Sequence, residues 1–323
     1  MNIAEAKNLT KLYGDFCAVD QVSFQIKRGE IFGFLGPNGA GKTTTINMLT
    51  GLASITGGQL SIAGFDGNRE IKRAQQVMGI VPDESNLYPE LSGFDNLCFC
   101  AALYGLESVE RQARARDLLT QVGLEQVADK KFQTYSKGMK RRLTIAAGLI
   151  HEPEILFLDE PTSGIDVESA RQIRSLLRQL NAGGTTMFLT THYIEEAERL
   201  CDRIAFIVQG KIVRTGSIDE LMAEAQQEQI VEFSLDEHTE ASEQVLRQAF
   251  QEYKITAPVA GKLRVSASEP IALFPFMEVF QKHSLNVYEA KVIRPSLEEV
   301  FVKITGLDSG KLAATQGKRR RGK

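Results

Sequence analysis

The sequence has 323 residues, enough for about two domains, and its 43 % hydrophobic and 24 % charged residues are ordinary for a soluble globular protein. No apolar run approaches the roughly 18 residues that a bilayer-spanning helix needs, and the N-terminus lacks a signal-peptide pattern. We therefore expect that, if the protein acts at a membrane, another chain crosses that membrane.

The net charge of −3 is unevenly distributed along the chain. Residues 311–323 contain six Lys or Arg and no acid, which leaves 32 basic against 41 acidic residues, a net charge of −9, in the rest. A body of this charge argues against nucleic-acid binding. The basic end is suited to anionic lipid headgroups or RNA, but a solvated end is the simpler interpretation. We therefore predict a disordered basic tail over residues 307–323.

The first part of the chain combines short strands with a glycine-rich turn. Some of the strands alternate apolar and polar residues and others are apolar throughout. The predicted strands lie at residues 4–9, 18–26, 31–35, 59–62 and 78–81. The glycine-rich turn follows the strand at 31–35, and a helix is predicted from about residue 42 to 51.

Helices dominate the next part of the chain and then alternate with buried strands. Apolar residues recur at helical spacing over residues 87–128, and a helix of about 15 residues follows Tyr135. The remaining predicted elements are a strand at 155–158, a helix at 168–180, a strand at 185–190, a helix at 194–200 and a hairpin of strands at 203–208 and 211–215. Wholly apolar strands that alternate with helices indicate an α/β sheet.

A change in composition near Leu221 predicts a second domain. The polar residues 222–228 are typical of a helical linker, and residues 230–293 follow the order strand, helix, strand, strand, helix, strand. This βαββαβ order is the ferredoxin-like pattern. With a last helix predicted at 296–305, we expect a small α+β accessory domain over residues 222–306.

The glycine-rich turn carries the pattern Gly36-x-x-x-x-Gly41-Lys42-Thr43. Between a strand and a helix this pattern is typical of a phosphate-binding loop, because glycines let successive backbone N–H groups converge on an anion, beside the positive end of the helix dipole. Lys42 is predicted to reach the β- and γ-phosphates, and the Thr43 hydroxyl to ligate Mg²⁺. The predicted nucleotide-binding residues are Gly36, Pro37, Asn38, Gly39, Ala40, Gly41, Lys42, Thr43 and Thr44.

Two consecutive acids follow the buried strand at residues 155–158. The carboxyl ends of parallel strands face the ligand crevice, so Asp159 is predicted to hold Mg²⁺, directly or through water. Glu160 points differently and is predicted to polarise an attacking water, a role that contributes roughly 10²- to 10⁴-fold in rate. Paired acids also occur at plain strand ends, and it is the phosphate loop that favours the catalytic interpretation.

With these motifs in this order, residues 1–216 resemble the ATP-binding-cassette (ABC) ATPases. The resemblance implies an α/β fold, the ABC-type P-loop NTPase, over residues 1–221. That fold has a RecA-like α/β core, an antiparallel β subdomain and a helical subdomain, here at about residues 87–150. The resemblance also implies ATP hydrolysis with Mg²⁺.

Residues 135–139, Tyr-Ser-Lys-Gly-Met, resemble the ABC signature, usually Leu-Ser-Gly-Gly-Gln. In the family, the signature serine and second glycine bind the γ-phosphate of ATP held by the opposite subunit, and these positions are Ser136 and Gly138 here. Lys137 departs from the consensus but places a positive charge near phosphate. A chain with one phosphate loop and one signature needs a second ATPase subunit, most simply a second copy, to enclose two ATP molecules.

Further positions are implied by the resemblance. Residues 163–166 resemble the D-loop, which ends in Asp166 and couples the two sites across the dimer. His192 resembles the switch histidine that contacts the γ-phosphate. Tyr13 matches the aromatic position that stacks on adenine, although it could equally cover the core, and Phe16 competes for that role.

One position departs from the family pattern. Asp83, followed by Glu84, stands where the Q-loop glutamine is expected. An Asp oxygen is still a ligand for Mg²⁺, although it adds negative charge beside phosphate. We therefore predict Asp83 as a third magnesium ligand beside Thr43 and Asp159. The departure bears on how the nucleotide state is relayed to a transmembrane partner.

Three stretches together resemble the ATPase subunits of ABC-2-type exporters, including the daunorubicin-resistance type. They are residues 8–22, the signature, and residues 295–306, Pro-Ser-Leu-Glu-Glu-Val-Phe-Val-Lys-Ile-Thr-Gly. This implies a separate transmembrane permease, docked on the helical region, and a location on the cytoplasmic side of the cell membrane. The alternative is a non-transport ABC ATPase acting on ribosomes or nucleic acid, which only the basic tail favours. The accessory domain is either a dimer brace, which we favour, or a small-molecule sensor.

Overall fold

The computed structural model of the chain describes residues 1–225, 229–236, 240–293 and 296–306. These residues form two compact units, one of Met1–Ile218 with residues 304–306 and one of Asp219–Lys303. Each unit has its own hydrophobic core. Residues 226–228 of the predicted linker and the predicted basic tail lie outside the described residues.

The strands of the first unit belong to two sheets. They are β1 (Asn2–Tyr13), β2 (Phe16–Lys27), β3 (Ile31–Leu35), β4 (Gly57–Ile62), β5 (Phe65–Asp66), β6 (Met78–Val81), β7 (Ile155–Asp159), β8 (Thr186–Thr191), β9 (Arg203–Val208) and β10 (Lys211–Ser217). Among the described residues, one sheet is antiparallel with the order β2-β1-β4-β5, and the other has the order β10-β9-β3-β8-β7-β6. Within the second sheet only β10 runs antiparallel to its neighbour.

The parallel strands are buried because helices and the antiparallel sheet cover both of their faces. Every residue of β3, β7 and β8 is buried. Phe24 of the antiparallel sheet packs against Phe32, Phe34 and Phe188 of the parallel one, with ring centroids 5.0 to 5.8 Å apart. This aromatic core fixes the sheet edge from which the glycine-rich turn and the two acids emerge.

The first strand is longer than its sequence pattern predicts. We predicted a strand over residues 4–9, whereas β1 spans Asn2–Tyr13. Its pairing with β2 shifts register at several points, and Asn8 adopts a left-handed φ of 52°. Such irregularities break the strict alternation on which strand prediction depends.

The helices of the first unit are α1 (Lys42–Leu49), α2 (Ile71–Gln75), α3 (Gly93–Leu103), α4 (Ser108–Gln121), α5 (Lys137–Leu149), α6 (Val167–Ala182) and α7 (Ile194–Leu200). The helices α3, α4 and α5 pack on one another and form a helical subdomain. The Ser92 hydroxyl accepts the Asp95 N–H at 3.0 Å and so caps α3. Short 3₁₀ turns at Glu125–Val127 and Phe132–Thr134 lead into α5.

The second unit has the predicted βαββαβ order. Its elements are α8 (Ile218–Ala225), β11 (Gln229–Leu235), α9 (Glu240–Ala249), β12 (Lys254–Val259), β13 (Lys262–Ala267), α10 (Phe274–Lys282), β14 (Val287–Ile293) and α11 (Leu297–Thr305). The strands form an antiparallel sheet with the order β12-β13-β11-β14. Its core joins strand residues such as Phe233 to Leu246 of α9 and Phe280 of α10.

Membrane-spanning helices were sought among the described residues. Within those ranges, no helix combines the length and the apolar character that crossing a bilayer requires.

Candidate active site

The glycine-rich turn occupies the junction between β3 and α1. Gly41 caps the helix with a φ of 101°, and a Cβ there would lie 2.7 Å from the Ala18 carbonyl oxygen, so only glycine fits. Asn38, Gly39 and Thr43 are exposed at the mouth of the turn. The first N–H groups of a helix have no partner within the helix. The turn therefore presents unpaired donors to an anion, as the sequence pattern predicts.

The Lys42 side chain is buried beneath this turn. Its ammonium donates to the carbonyl oxygens of Gly36 at 2.8 Å and Pro37 at 3.2 Å, and lies 3.3 Å from Glu160 Oε1. Burial lowers the pKa of Lys42, while the charges of Glu160 and Asp159 act in the opposite direction. The lysine thus connects the phosphate loop to the pair of acids after β7.

The two acids at the end of β7 are held by the neighbouring strand. Asp159 is buried and accepts a hydrogen bond from the Thr190 hydroxyl. The backbone N–H of Glu160 donates to the Thr190 carbonyl at 3.1 Å and lies 3.2 Å from its hydroxyl oxygen. Glu160 has a left-handed φ of 46°. A residue other than glycine or asparagine rarely adopts this conformation, and such strain clusters at functional sites.

His192 and Lys42 contact different carboxylate oxygens of Glu160. His192 follows β8, is buried, and places Nδ1 2.8 Å from Glu160 Oε2. Burial tends to raise the pKa of Glu160, but contact with His192 and the charge of Lys42 outweigh it and leave this pKa below its ordinary value. Glu160 is therefore an ionised carboxylate at neutral pH, which is the state that a general base needs.

Asp83 lies at the end of β6 and contacts Arg141 of α5. The buried Arg141 guanidinium donates to the carbonyl oxygens of Pro82 and Asp83, and one nitrogen lies 3.5 Å from Asp83 Oδ1. Partial burial raises the pKa of Asp83, as do the charges of Glu160 and Asp159, while Arg141 opposes them. The carboxyl of Asp83 is therefore close enough to Asp159 and Glu160 for their charges to disfavour its ionisation.

The signature residues begin α5. Ser136 caps this helix, since its hydroxyl accepts the Met139 N–H at 3.2 Å, and Ser136 and Lys137 are exposed. Gly138 is buried against Ser169 of α6. Tyr135, which differs from the family consensus, is buried, and its hydroxyl donates to the Val127 carbonyl at 2.6 Å. The side chain that departs from the consensus at this position is therefore part of the core of the helical subdomain.

Three other predicted site residues lie on the surface. Tyr13 and Phe16 face each other across the turn between β1 and β2, and 51 % and 65 % of their surfaces are exposed. Both rings are therefore open to stacking, and Lys11 lies over Tyr13 with its ammonium 4.9 Å from the ring centroid. Asp166 caps α6 by accepting the Ser169 N–H at 2.9 Å, which lowers its pKa.

The sequence patterns did not reveal five residues that organise the site. Thr190 holds both acids after β7, and Arg141 holds the segment of Asp83. Glu196 of α7 accepts hydrogen bonds from Thr162 and from a second threonine next to His192. The only signal in the sequence was the pair of consecutive threonines that ends β8, because hydroxyls are unusual in a strand buried on both faces.

Residues 19–163 match the family model described as "ABC transporter". The chain is 39 % identical over 305 residues to the Linearmycin resistance ATP-binding protein LnrL of Bacillus subtilis (strain 168), covering 94 % of this chain and 98 % of that protein. It is 37 % identical over 309 residues to the Daunorubicin resistance ATP-binding protein DrrA3 of Streptomyces coeruleorubidus, covering 92 % and 94 %. This chain belongs to the ATP-binding subunits of ABC transporters.

A solved structure supports the same assignment. The chain resembles a dimeric ATP-binding cassette in a post-hydrolysis state bound to ADP and Pi, with a TM-score of 0.62 and 30 % identity, over 67 % of this chain and 98 % of that one. The predicted family, fold and ATPase activity are confirmed. The alternative of action on ribosomes or nucleic acid gains no support from these comparisons.

Proposed function

We propose that this ATPase subunit hydrolyses Mg²⁺-ATP with Glu160 as general base, in a site that a second copy of the chain completes. The observation that carries the proposal is the position of Glu160 between Lys42 at 3.3 Å and His192 at 2.8 Å. A cation beside the phosphate loop and a histidine together keep the carboxylate ionised. They also fix its direction, which a base acting on a single water molecule requires.

The neighbouring residues take the remaining roles. The turn of residues 36–44 binds the phosphates through its backbone N–H groups, and Lys42 neutralises their charge. His192 orients Glu160 and contacts the γ-phosphate. Tyr13 stacks on the adenine, a role that its exposure at a strand turn allows.

The donor set fits Mg²⁺, which prefers oxygen ligands. The proposed ligands are the exposed Thr43 hydroxyl, the buried Asp159 carboxylate and the exposed carboxylate of Asp83. The charges of Asp159 and Glu160 both raise the pKa of Asp83, so these acids concentrate negative charge in one region. When bound, the ion neutralises charge that develops on the phosphates.

The second half of the site is proposed to come from another copy of the chain. Ser136 and Lys137 are exposed at the start of α5 and supply a capping hydroxyl and a cation, and the buried Gly138 follows them. This helix start suits the γ-phosphate of ATP held by the opposite subunit. Asp166, at the start of α6, faces solvent and is proposed to contact that subunit. A dimeric cassette among the similar structures supports this arrangement.

Mixing two inactive variants tests the composite site. Lys42→Ala disables one chain's phosphate loop, and Ser136→Glu places a negative charge where the partner's γ-phosphate would bind. Each variant alone is expected to hydrolyse little ATP. In a mixed dimer one site keeps an intact loop and an intact signature, so activity should rise to about a quarter of the wild-type rate at equal concentrations, the value expected for random pairing. No recovery on mixing would contradict a site built from two chains.

The partner that this ATPase serves is proposed to be a separate ABC-2-type permease. An apolar patch on the helical subdomain supports this, because Tyr88, Phe99 and Leu103 are 53 %, 38 % and 71 % exposed and two of their rings pack at 4.9 Å. Exposed apolar clusters commonly mark protein contacts. Two relatives named for resistance to linearmycin and daunorubicin support an exporter of antibiotic-like compounds. The ATPase subunit itself is proposed to lie on the cytoplasmic side of the membrane.

The patch can be tested by co-purification from detergent-solubilised membranes. Leu103→Asp should abolish recovery of a polytopic membrane protein with the tagged chain while leaving ATP binding intact. Val109→Asp is the matched control, because Val109 is also exposed, at 83 %, but lies on the next helix. Equal recovery with both variants would contradict docking at this patch.

The basic tail is proposed to add contact with the anionic membrane surface. Its support is the six basic residues in 311–323. Deleting residues 311–323 should weaken binding to vesicles that contain anionic lipid and should leave binding to neutral vesicles unchanged. Unchanged binding to both kinds of vesicle would indicate that the tail is a solvated end that does not contact lipid.

A further inference from the structure

Glu196 is a buried carboxylate that none of the roles above uses. It lies in the first turn of α7, five residues beyond the end of β8, and is 3 % exposed. Oε1 accepts a hydrogen bond from the Thr162 hydroxyl at 2.6 Å, and Oε2 accepts one from the Thr191 hydroxyl at 2.5 Å. A charged side chain is rarely buried without a specific purpose, because its burial is costly.

The two threonines flank the catalytic pair. Thr162 lies two residues after Glu160, in a turn closed by a hydrogen bond from the Ser163 N–H to the Glu160 carbonyl at 3.1 Å. Thr191 immediately precedes His192, and its hydroxyl also accepts the Tyr193 N–H at 3.0 Å. Because the oxygen of that hydroxyl already accepts a hydrogen bond from the backbone, its own O–H is free to donate to Glu196.

These contacts close a ring around the catalytic pair. Along the backbone, Glu160 leads to Thr162, whose hydroxyl donates a hydrogen bond to Glu196. Glu196 also accepts a hydrogen bond from Thr191, and Thr191 is joined to His192 by a peptide bond. The 2.8 Å contact between His192 Nδ1 and Glu160 Oε2 completes the circuit. Two segments that are 30 residues apart in sequence are thereby held at a fixed distance.

The ring of contacts also explains how Glu160 keeps its unusual backbone conformation. Its φ of 46° is disfavoured for a glutamate. A strained residue persists only where the surrounding structure over-determines its position. Thr190 holds the N–H of Glu160 from one side, and the ring holds the following turn from the other.

We propose that Glu196 is a positioning residue, which keeps the general base and the switch histidine aligned by holding Thr162 and Thr191. The inference rests on the catalytic role proposed for Glu160. It predicts a loss in turnover rather than in ATP affinity, because the hydrogen bonds of Glu196 go to Thr162 and Thr191 and not to the phosphate loop.

Two substitutions at this position separate alignment from bulk packing. Glu196→Gln keeps the length and one acceptor oxygen, which can bind Thr191, while its amide can donate to Thr162. Glu196→Leu keeps similar bulk but leaves both hydroxyls without an acceptor. Catalytic geometry tolerates little displacement, so the leucine variant is expected to lose about tenfold or more in kcat. The glutamine variant is expected to lose much less, with ATP dissociation constants within about twofold of wild type in both.

The experiment measures kcat, KM and equilibrium ATP binding for the full-length wild type and both variants, with melting temperatures as a check on folding. If Glu196→Leu does not fold, Thr162→Val against Thr162→Ser decides, since only the serine variant keeps the hydroxyl. A kcat in the leucine or valine variant within twofold of wild type would overturn the proposal. So would equal losses in kcat and ATP affinity. Glu160→Gln, assayed alongside, distinguishes the two failures, because full activity in that variant would refute the role of Glu160 itself.

Discussion

Gly138 provides a prediction whose size follows from the packing of α5 on α6. A Cβ added at this position would lie 2.4 Å from Ser169 Oγ and 2.6 Å from Ser169 Cβ, while the next atom, Ile165 Cγ2, is at an ordinary 3.7 Å. The clash is therefore with one side chain. Gly138→Ala forces the start of α5 away from α6, and with it the exposed signature residues Ser136 and Lys137.

The expected cost is the overpacking penalty less the helix preference of alanine. Overpacking typically costs about 1–3 kcal/mol, and alanine is favoured over glycine in a helix by about 1 kcal/mol. The net loss in the free energy of unfolding should be about 0–2 kcal/mol, which lowers the melting temperature by up to roughly 8 °C for a unit of this size. A displaced signature should also reduce kcat about tenfold.

A double variant isolates the cause. Ser169→Gly removes both clashing atoms, so Gly138→Ala/Ser169→Gly should melt within a few degrees of Ser169→Gly alone, and its kcat should recover because alanine keeps the backbone N–H. Thermal unfolding and steady-state ATPase assays of the four proteins form a double-mutant cycle. If the double variant is as unstable and inactive as Gly138→Ala, Ser169 is not the reason for glycine at this position.

Two further predictions follow from the charged groups. Asp83→Ala should lower the rate of Mg²⁺-ATP hydrolysis more than it weakens ATP binding, and equal losses would defeat the magnesium role of Asp83. Burial raises the pKa of Glu196 in the folded chain, so its contribution to stability is present below the ordinary glutamate pKa and is lost as pH rises towards the folded value. The melting temperature of Glu196→Gln relative to wild type should therefore increase from about pH 4 to pH 7, and a difference independent of pH would contradict this.

The sequence predicted the phosphate loop and the buried strands because these features are local. A glycine pattern between a strand and a helix has one common structural meaning, and wholly apolar runs must be buried. The boundaries of α7 and β6 were predicted correctly from such patterns. The strand β1 was predicted too short because its bulges are set by pairing with β2.

The ring of contacts around Glu160 was not predictable in the same way. Thr162, Thr191 and Glu196 have no pattern in common, and more than 25 residues separate Thr162 from the other two. Only the three-dimensional packing of β7 against β8 and α7 brings their side chains within hydrogen-bond distance. The pairing of Asp83 with Arg141 has the same character, since it joins residues 58 positions apart. Long-range polar contacts of this kind fix the exact positions of the side chains in the site, whereas local sequence patterns show only where in the chain the site lies.

The central claim is that Glu160 drives hydrolysis in a site shared by two copies of the chain. Glu160→Gln keeps the shape of the side chain but removes the base, so it should bind ATP without turning it over. The decisive measurement is light scattering of this variant after size exclusion in Mg²⁺-ATP, with the nucleotide in the peak identified. The account predicts a dimer that contains unhydrolysed ATP. A monomer at saturating ATP, or a peak that contains ADP formed at the wild-type rate, would contradict it.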